Sequence, residues 1–250
     1  MLIKNTILEV IYTQFSKWSA SADYCCSPGC SSCCTRNVSI TALEGHRILE
    51  YIQNQKTAGW FAGRMNPLQP LPSPRQTINE YIAAILNGDE DAAPPAVDFQ
   101  EHCPFLENEM CAIYPVRPFS CRCFYSTTPC ALQQTATVPD SHLYVSMAMQ
   151  QIIEHLGQFD WWGNMIEVIA VLSRNPEYQK ITAQLDNPEL LKQAPQIVRR
   201  AKPLPGFVVP AEQESTSKLI QSVFSTRLAE TTIEEILNGH SPEYSRRKRE

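Results

Sequence analysis

Residues 24–35 read YCCSPGCSSCCT and hold five of the ten cysteines in this chain of 250 residues. The other five follow a long gap without cysteine, and the last 120 residues contain none. The ten are Cys25, Cys26, Cys30, Cys33, Cys34, Cys103, Cys111, Cys121, Cys123 and Cys130. Five thiols in so short a run are too many for ordinary packing. We therefore expect the two cysteine groups to fold onto each other and to hold metal.

The spacing within the first group is the strongest signal in the chain. In Cys26-x3-Cys30-x2-Cys33-Cys34, thiolates two residues apart on a turn can grip one tetrahedral ion, with Zn–S bonds of about 2.3 Å. Iron–sulfur clusters use similar short spacings followed by a distant ligand. Neighbouring side chains of an extended chain point in opposite directions. The adjacent Cys33 and Cys34 therefore serve two metal atoms, or one of them is not a ligand.

The second group supplies the distant sulfurs. Two short apolar runs, 103–106 and 110–114, flank the polar residues 107–109 and predict a hairpin. Pro118 then opens a helical turn. Sulfurs from the hairpin and its exit join four from the first group. The predicted metal ligands are Cys26, Cys30, Cys33, Cys34, Cys103, Cys111 and Cys121.

The number and kind of metal ions stay open at this point. Seven thiolates suit two four-coordinate ions that share one bridging sulfur. Four of the seven could instead hold one iron–sulfur cluster, which leaves three for structure or for a second ion. Any single cysteine has the alternative of a buried free thiol that packs like a small hydrophobe. The site as a whole is either a closed structural site or one with a reactive or exchangeable metal.

Several residues near the predicted ligands have no single interpretation. Cys25, Cys123 and Cys130 receive no role. His102, beside Cys103, is a candidate nitrogen ligand, although a solvent-facing histidine is the more common case. Arg117 and Arg122 either offset thiolate charge or clamp the hairpin through hydrogen bonds.

Charge and hydropathy bear on the compartment and on partners. The formal net charge of −5 disfavours broad nucleic-acid binding, and we interpret the basic residues 246–249 as a solvated tail. No stretch approaches the roughly 20 apolar residues that span a bilayer, and polar residues 4–6 interrupt any secretory signal. We therefore expect a cytoplasmic protein with no nucleic-acid and no membrane partner. Thiols are kept reduced there, so the cysteines indicate metal or redox chemistry rather than five disulfides.

The rest of the chain has helical patterns. Apolar periodicity predicts a helix over 2–18 with a buried stripe that is formed by Leu2, Ile3, Ile7, Val10, Ile11 and Phe15. Capping boxes mark helix starts at Thr41, Thr77 and Thr232. An extended piece is expected over 37–40. After residue 140 the chain is predicted to be helical, with one helix capped by Asp160 that carries Trp161 and Trp162. Further helices are predicted at 187–200, 212–228 and 232–238, and breaks at the proline-rich 66–74 and 203–210.

These patterns predict a mainly α fold with a small irregular or β-hairpin cysteine module. We expect residues 1–130 to form the metal-binding module, with helices inserted between its cysteine groups. Residues 131–250 are expected to form a helical region with a basic tail.

The two cysteine signatures together resemble a known family. CxxxCxxCC near the start, followed by CPFL, C-x-IY and RP-x-x-CR, is similar to the YkgJ-type cysteine-cluster family of zinc- or iron-chelating domains. The resemblance covers about residues 22–125 and implies metal ligation by the seven predicted cysteines. A related branch, the flagellin lysine-N-methylases, resembles this framework joined to a larger helical part and uses an iron–sulfur cluster.

We therefore predict a cytoplasmic zinc- or iron-binding protein whose metal, or iron–sulfur cluster, is held by thiolates from two distant segments. Two alternatives stay open. One, implied by the methylase resemblance, is an iron–sulfur enzyme that modifies a protein or peptide. The other is a metal-stabilised adaptor that presents its helical half to a protein partner.

Overall fold

A computed structural model describes residues 2–27, 29–94, 101–130 and 135–240. Within these ranges the secondary structure is mainly helical, with sheets of only two or three strands. The predicted mainly α class with a minor β component is confirmed. In chain order the described helices are α1 (Leu2–Ser19), α2 (Ala42–Asn54), α3 (Ala58–Met65), α4 (Ile78–Leu86), α5 (Phe119–Arg122), α6 (Asp140–Leu156), α7 (Met165–Ser173), α8 (Gln179–Thr182), α9 (Pro188–Ile197), α10 (Glu214–Ser225) and α11 (Ile233–Leu237).

Local sequence signals set most helix starts. All three predicted capping boxes are present. In each, the threonine side chain accepts a hydrogen bond from the backbone N–H of the glutamate three residues later, and the glutamate carboxylate accepts one from the threonine backbone N–H. They start α2, α4 and α11. Helix α3 was not predicted, because Thr57 makes no capping hydrogen bond and Gly59 and Gly63 weaken the helical pattern.

Helix α1 confirms the predicted helix over 2–18 and buries one face. Ile7, Ile11 and Phe15 of the predicted stripe are at most 1% exposed. Leu2 was assigned to the same stripe but is 85% exposed, because it begins the helix beyond the reach of the core. The prediction for Leu2 is therefore wrong.

Short strands connect distant parts of the chain. Strands β1 (Ser39–Thr41), β4 (Trp161–Asn164) and β5 (Arg199–Arg200) form an antiparallel sheet in the order β1-β4-β5. Strands β2 (Leu106–Glu107) and β3 (Met110–Cys111) form the predicted hairpin. A second hairpin joins β6 (Arg227–Leu228) to β7 (Thr231–Thr232).

The helix predicted to start at Asp160 begins later. Residues Trp161–Asn164 are extended, and α7 starts at Met165. This segment is extended because it pairs with a strand on each edge. Trp162 lies opposite Thr41 on one side and opposite Arg199 on the other. These backbone partners come from remote segments, so helical periodicity could not reveal them. The predicted 187–200 helix likewise ends at Ile197, before β5.

Two core clusters hold the helices together. The first core cluster surrounds α2 and α7 and includes Ile48, Leu49 and Ile169. The second core cluster surrounds α1, α6 and α10 and includes Ile7, Phe15, Phe119, Met149 and Val223. Both take side chains from before and after residue 130. The division of the chain into a module at 1–130 and a helical region at 131–250 stays a prediction.

Two further predictions from the sequence concern membrane-spanning segments and the basic run near the end of the chain. No helix in the described part of the chain is long and apolar enough to cross a membrane. The basic run at 246–249 lies outside the described residues.

Candidate metal centre

Backbone hydrogen bonds bring the two cysteine groups together. The Cys103 nitrogen donates to the Cys34 carbonyl oxygen at 2.9 Å, and Thr35 and His102 form an antiparallel bridge. Beside it, the Arg36 nitrogen donates to the Glu101 carbonyl at 2.9 Å. The end of the first cysteine loop and the start of the second group are therefore one short antiparallel pair.

The β2–β3 hairpin places Cys111. Cys111 lies opposite Leu106, and the turn between the strands puts Asn108 and Glu109 in the left-handed region, at φ 47° and 63°. The Ser31 hydroxyl donates to the Glu109 carboxylate. The tip of the hairpin is therefore tied to the first cysteine loop.

The short helix α5 places Cys121. Pro118 precedes the helix, and its carbonyl accepts from the Cys121 nitrogen at 3.0 Å. The Ser120 hydroxyl donates to the Ser39 carbonyl at 2.7 Å, which fixes α5 against β1. The position of α5 therefore sets the position of Cys121.

One cavity of about 400 Å³ collects the cysteines of both groups. All seven predicted ligands line it: Cys26, Cys30, Cys33, Cys34, Cys103, Cys111 and Cys121. Leu106, Ile113 and Met165 form apolar parts of its wall. The sequence therefore predicted which cysteines come together, although their role as ligands stays a prediction.

The thiols line the cavity without converging on one point. All ten cysteines carry free thiols. In residues 2–27, 29–94, 101–130 and 135–240, no three Cys, His, Asp or Glu side chains are arranged to hold one ion. Ligation at this cavity therefore requires cysteine side chains to turn about their Cα–Cβ bonds toward the ion.

Burial and mutual contact set the pKa values of the thiols. Burial raises the pKa of Cys103 to about 11 and raises the pKa of Cys121 well above its usual value. The Cys33 thiol donates to Cys34, which raises the pKa of Cys33 and lowers that of Cys34. Burial also raises the pKa values of Cys26 and Cys111. Cys34 is therefore the first of this adjacent pair to offer a thiolate.

Both arginines line the cavity but make different contacts. The charge of Arg117 lowers the pKa values of Cys33, Cys111 and Cys121 against the effect of burial. Arg122 donates to the carbonyls of Arg117 and Pro115 at 2.8 and 3.0 Å. Arg117 thus offsets thiolate charge, and Arg122 clamps the loop before α5.

The residues left without a role lie in three different places. The exposed Cys25 directs its thiol to the Thr127 carbonyl at 3.2 Å. Cys123 is buried in the second core cluster, where Gln150 donates to its sulfur at 3.4 Å. Cys130 lies close enough to Cys26 for its charge to act there. His102 is exposed and does not line the cavity.

Two sets of side-chain contacts that hold the site in place were not predicted from the sequence. The Arg36 side chain, 2% exposed, pairs with Glu101 at 2.6 Å and donates to the Gln69 carbonyl at 2.7 Å. Tyr24 stacks on Tyr125 with centroids 4.5 Å apart and donates to His142 Nδ1 at 2.7 Å. Their nearness to cysteines in the chain was the available signal, but their partners are remote in sequence.

Comparison with known proteins bears on this cavity. Residues 25–141 match a family model of the CxxCxxCC type, described as "Putative zinc- or iron-chelating domain". Residues 25–141 are therefore similar to this family of cysteine-rich domains. The predicted resemblance is thus confirmed, and the match supports metal binding by the cysteines. No curated protein and no solved structure matches the chain.

The cavity fits the description of a chelating domain of the CxxCxxCC type. Thiolates are soft ligands that suit zinc and iron. Arg117 supplies positive charge beside several of them, and Arg36 acts on Cys103. The donor set and its surroundings therefore suit a cation held by several thiolates.

Proposed function

We propose that the protein binds zinc or iron through thiolates of Cys26, Cys30, Cys33, Cys34, Cys103, Cys111 and Cys121. The observation that supports this most is that one cavity is lined by all seven, drawn from segments far apart in the chain. A thiolate-bound ion would join these segments more strongly than their few backbone hydrogen bonds. Ten free thiols suit a reducing compartment, and we propose the cytoplasm.

Elemental analysis of anaerobically purified protein tests this proposal. Zinc or iron bound in stoichiometric amount is the expected result. A brown protein with broad visible absorption would indicate an iron–sulfur cluster, and a colourless protein with stoichiometric zinc would indicate zinc bound directly by the thiolates. Purified protein without either metal, and without uptake of added zinc or iron under reducing conditions, contradicts the proposal.

Single substitutions test the ligand set. Cys33→Ser and Cys111→Ser are expected to lower metal content and thermal stability together, because serine is a poor ligand for soft metals. Cys25→Ser is the matched control, because Cys25 belongs to the same loop but does not line the cavity. Unchanged metal content in both test variants would remove Cys33 and Cys111 from the ligand set.

The rim of the cavity favours a second candidate function, an iron–sulfur enzyme that modifies a protein or peptide. Met110, Tyr114 and Phe124 line the cavity and are 44–53% exposed. Exposed apolar side chains beside a metal site suit contact with a polypeptide. An adaptor that binds a protein partner would use the same rim without an open metal position.

Where elemental analysis finds a directly ligated ion and no cluster, cobalt substitution separates an open site from a closed one. If the metal has an open position, added imidazole changes the cobalt absorption spectrum, because it enters the coordination sphere. A closed site gives the same spectrum with and without imidazole. The first result supports chemistry at the metal, and the second supports a structural or adaptor role.

A further inference from the structure

The rim of the cavity carries large side chains that face solvent. Met110 is 52%, Tyr114 44% and Phe124 53% exposed, and all three line the cavity. Met110 lies in β3, Tyr114 in the turn that follows it and Phe124 just after α5. Separate parts of the chain therefore bring exposed apolar surface to one place, which is typical of a site that contacts another protein.

Arg117 lies beside this rim and has donors without acceptors. Its guanidinium carbon is 4.0 Å from the centre of the Tyr114 ring, and its Nε atom is buried with no hydrogen-bond partner. Each of the other buried or half-buried arginines in the described ranges donates to a carboxylate or a carbonyl. They are Arg36, Arg47, Arg64, Arg122 and Arg199. Among these half-buried and buried arginines of the described chain, Arg117 alone has neither kind of partner.

The nearby thiols do not satisfy these donors. The charge of Arg117 acts on Cys33, Cys111 and Cys121, but no hydrogen bond joins its guanidinium to them in the described part of the chain. A guanidinium has five N–H donors in a fixed plane, and buried donors are normally paired. The donors of Arg117 are therefore available to an acceptor that comes from outside the chain.

The charged side chains of the cavity lining are mostly cationic. Arg117 and Arg122 line the cavity, and Glu109 is the one acidic residue of the lining within the described ranges. Glu109 already accepts a hydrogen bond from the Ser31 hydroxyl. The whole chain has a formal net charge of −5, so this lining is opposite in charge to the molecule as a whole. An acidic partner is therefore attracted to this site in particular.

An open depression beside the cavity has the same charge character. It is lined by residues of α1, among them Tyr12 and the exposed Lys17, and by Arg122. Arg122 also lines the cavity, and its guanidinium carbon is 4.5 Å from the centre of the Tyr12 ring. Glu9, which lines the depression, is paired with Arg47. The depression and the cavity thus share a wall whose charge is positive.

We propose that the rim is the docking site of a protein partner whose bound segment is acidic and carries an apolar or aromatic side chain. A carboxylate of that segment pairs with Arg117, whose planar group can offer it two parallel N–H bonds. The apolar side chain packs on Met110, Tyr114 and Phe124. This inference rests on the proposed contact between the rim and a polypeptide, and it adds the chemical class of the partner.

The same surface disfavours a lysine as the group that enters the cavity. An ammonium group there would meet the like charges of Arg117 and Arg122, which selects against a basic segment. An enzyme that modifies a polypeptide at this site would therefore act within an acidic segment.

Fluorescence anisotropy with short labelled peptides tests the class of partner. The acidic probe repeats glycine, glutamate and phenylalanine, and two matched probes have lysine or glutamine in place of glutamate. The full chain is used as purified, and the metal content of every sample is measured by elemental analysis. The acidic probe is expected to bind at least tenfold more tightly than the lysine probe, with an affinity that falls as salt is added.

Substitutions assign the binding to the rim. Arg117→Gln is expected to weaken binding of the acidic probe at least fivefold, and Arg117→Lys to weaken it less, because lysine keeps the charge but not the paired N–H groups. Phe124→Ala is expected to weaken the acidic and glutamine probes alike. Arg174→Gln is the matched control and should bind like the unmodified chain, because Arg174 is exposed and does not line the cavity.

The outcomes separate this proposal from that of metal binding. Equal or tighter binding of the lysine probe, or no saturable binding of any probe, would overturn the docking site. If this occurred in a chain with stoichiometric zinc or iron, the proposed metal binding would stand. Where Arg117→Gln fails to fold or loses metal, the three probes on the unmodified chain and the Phe124→Ala variant decide.

Discussion

The backbone nitrogen of Cys103 lies 2.9 Å from the carbonyl oxygen of Cys34 and donates a hydrogen bond to it. This bond joins the two cysteine groups through peptide groups alone. The buried Arg36 side chain, two residues after Cys34, strengthens the junction by pairing with Glu101 and binding the Gln69 carbonyl. The meeting of the two groups is therefore built partly into the polypeptide.

Metal removal is accordingly expected to loosen the site and leave the helices folded. Most side chains of both core clusters come from helices and pack on one another, and only Cys103, Cys111 and Cys121 of the predicted ligands pack against the first cluster. A metal ion that binds only the native state stabilises that state by about 4 kcal/mol when the free metal concentration is a thousand times the Kd. Chelation under reducing conditions should lower the melting temperature. The far-UV circular dichroism spectrum at room temperature should remain that of a helical protein.

Two results check this expectation. Metal added back should restore the melting temperature, which shows that chelation caused the change. Loss of the helical spectrum on chelation, as in zinc fingers that unfold without metal, would show that the ions and not the core clusters hold the fold.

Glu44 provides a second prediction, because it does more than cap α2. Its carboxylate accepts from the Tyr12 hydroxyl and the Phe119 nitrogen, both at 2.8 Å, and from the Thr41 nitrogen at 3.0 Å. The residue is 4% exposed, so its loss leaves buried donors unpaired. Glu44→Ala is expected to lower the free energy of unfolding by about 2–3 kcal/mol in a denaturant titration.

The capping box of α11 supplies the control for that measurement. Glu235 bonds to Thr232 as Glu44 does to Thr41, but the group is exposed and has no partner from another helix in the described hydrogen bonds. Glu235→Ala should therefore lower the free energy of unfolding clearly less than Glu44→Ala does. Equal losses would mean that the contacts of Glu44 with α1 and α5 add nothing to stability.

These two glutamates show what the sequence could and could not predict. The capping boxes are signals within four residues, so both helix starts were predictable. Nothing local distinguishes the buried Glu44 from the exposed Glu235, because Tyr12 and Phe119 are remote in sequence. The same limit hid β4, whose partners are β1 and β5, and Arg36, whose partners lie at 69 and 101. The seven cavity cysteines were predictable because their spacing is itself the signal.

Gly45 tests the close approach of α2 and α7. A Cβ atom at Gly45 would lie 2.6 Å from Leu172 Cδ1 and 3.4 Å from Val168 Cγ1. Leu172 is 7% exposed and has little room to move. Gly45→Ala is expected to lower the free energy of unfolding by about 1–2 kcal/mol, since overpacking outweighs the gain in helix propensity.

Gly63 in α3 is the matched control for Gly45. No atom lies within 4 Å of the Cβ position there. Gly63→Ala should therefore raise the free energy of unfolding, by about 0.5–1 kcal/mol. If both variants were stabilised, α2 and α7 would have to pack less closely than the structure shows.

Metal binding is expected to release protons, with an affinity that increases with pH. Burial raises the pKa of Cys103 to about 11 and the pKa values of Cys111 and Cys121 above their usual value, so these thiols are protonated at pH 7. Because a metal ion binds the thiolate, each such thiol must lose its proton. Acidification by one pH unit should thus weaken binding about tenfold for every proton released.

Calorimetric zinc titrations in two buffers of different ionisation enthalpy count the protons released. Cys111→Ser should release about one proton fewer than the unmodified chain, since it removes one protonated ligand. Cys25→Ser should release the same number, because Cys25 does not line the cavity. A proton count near zero at pH 7 would mean that the cavity holds preformed thiolates, contrary to the burial of Cys103 and Cys121 against the first core cluster.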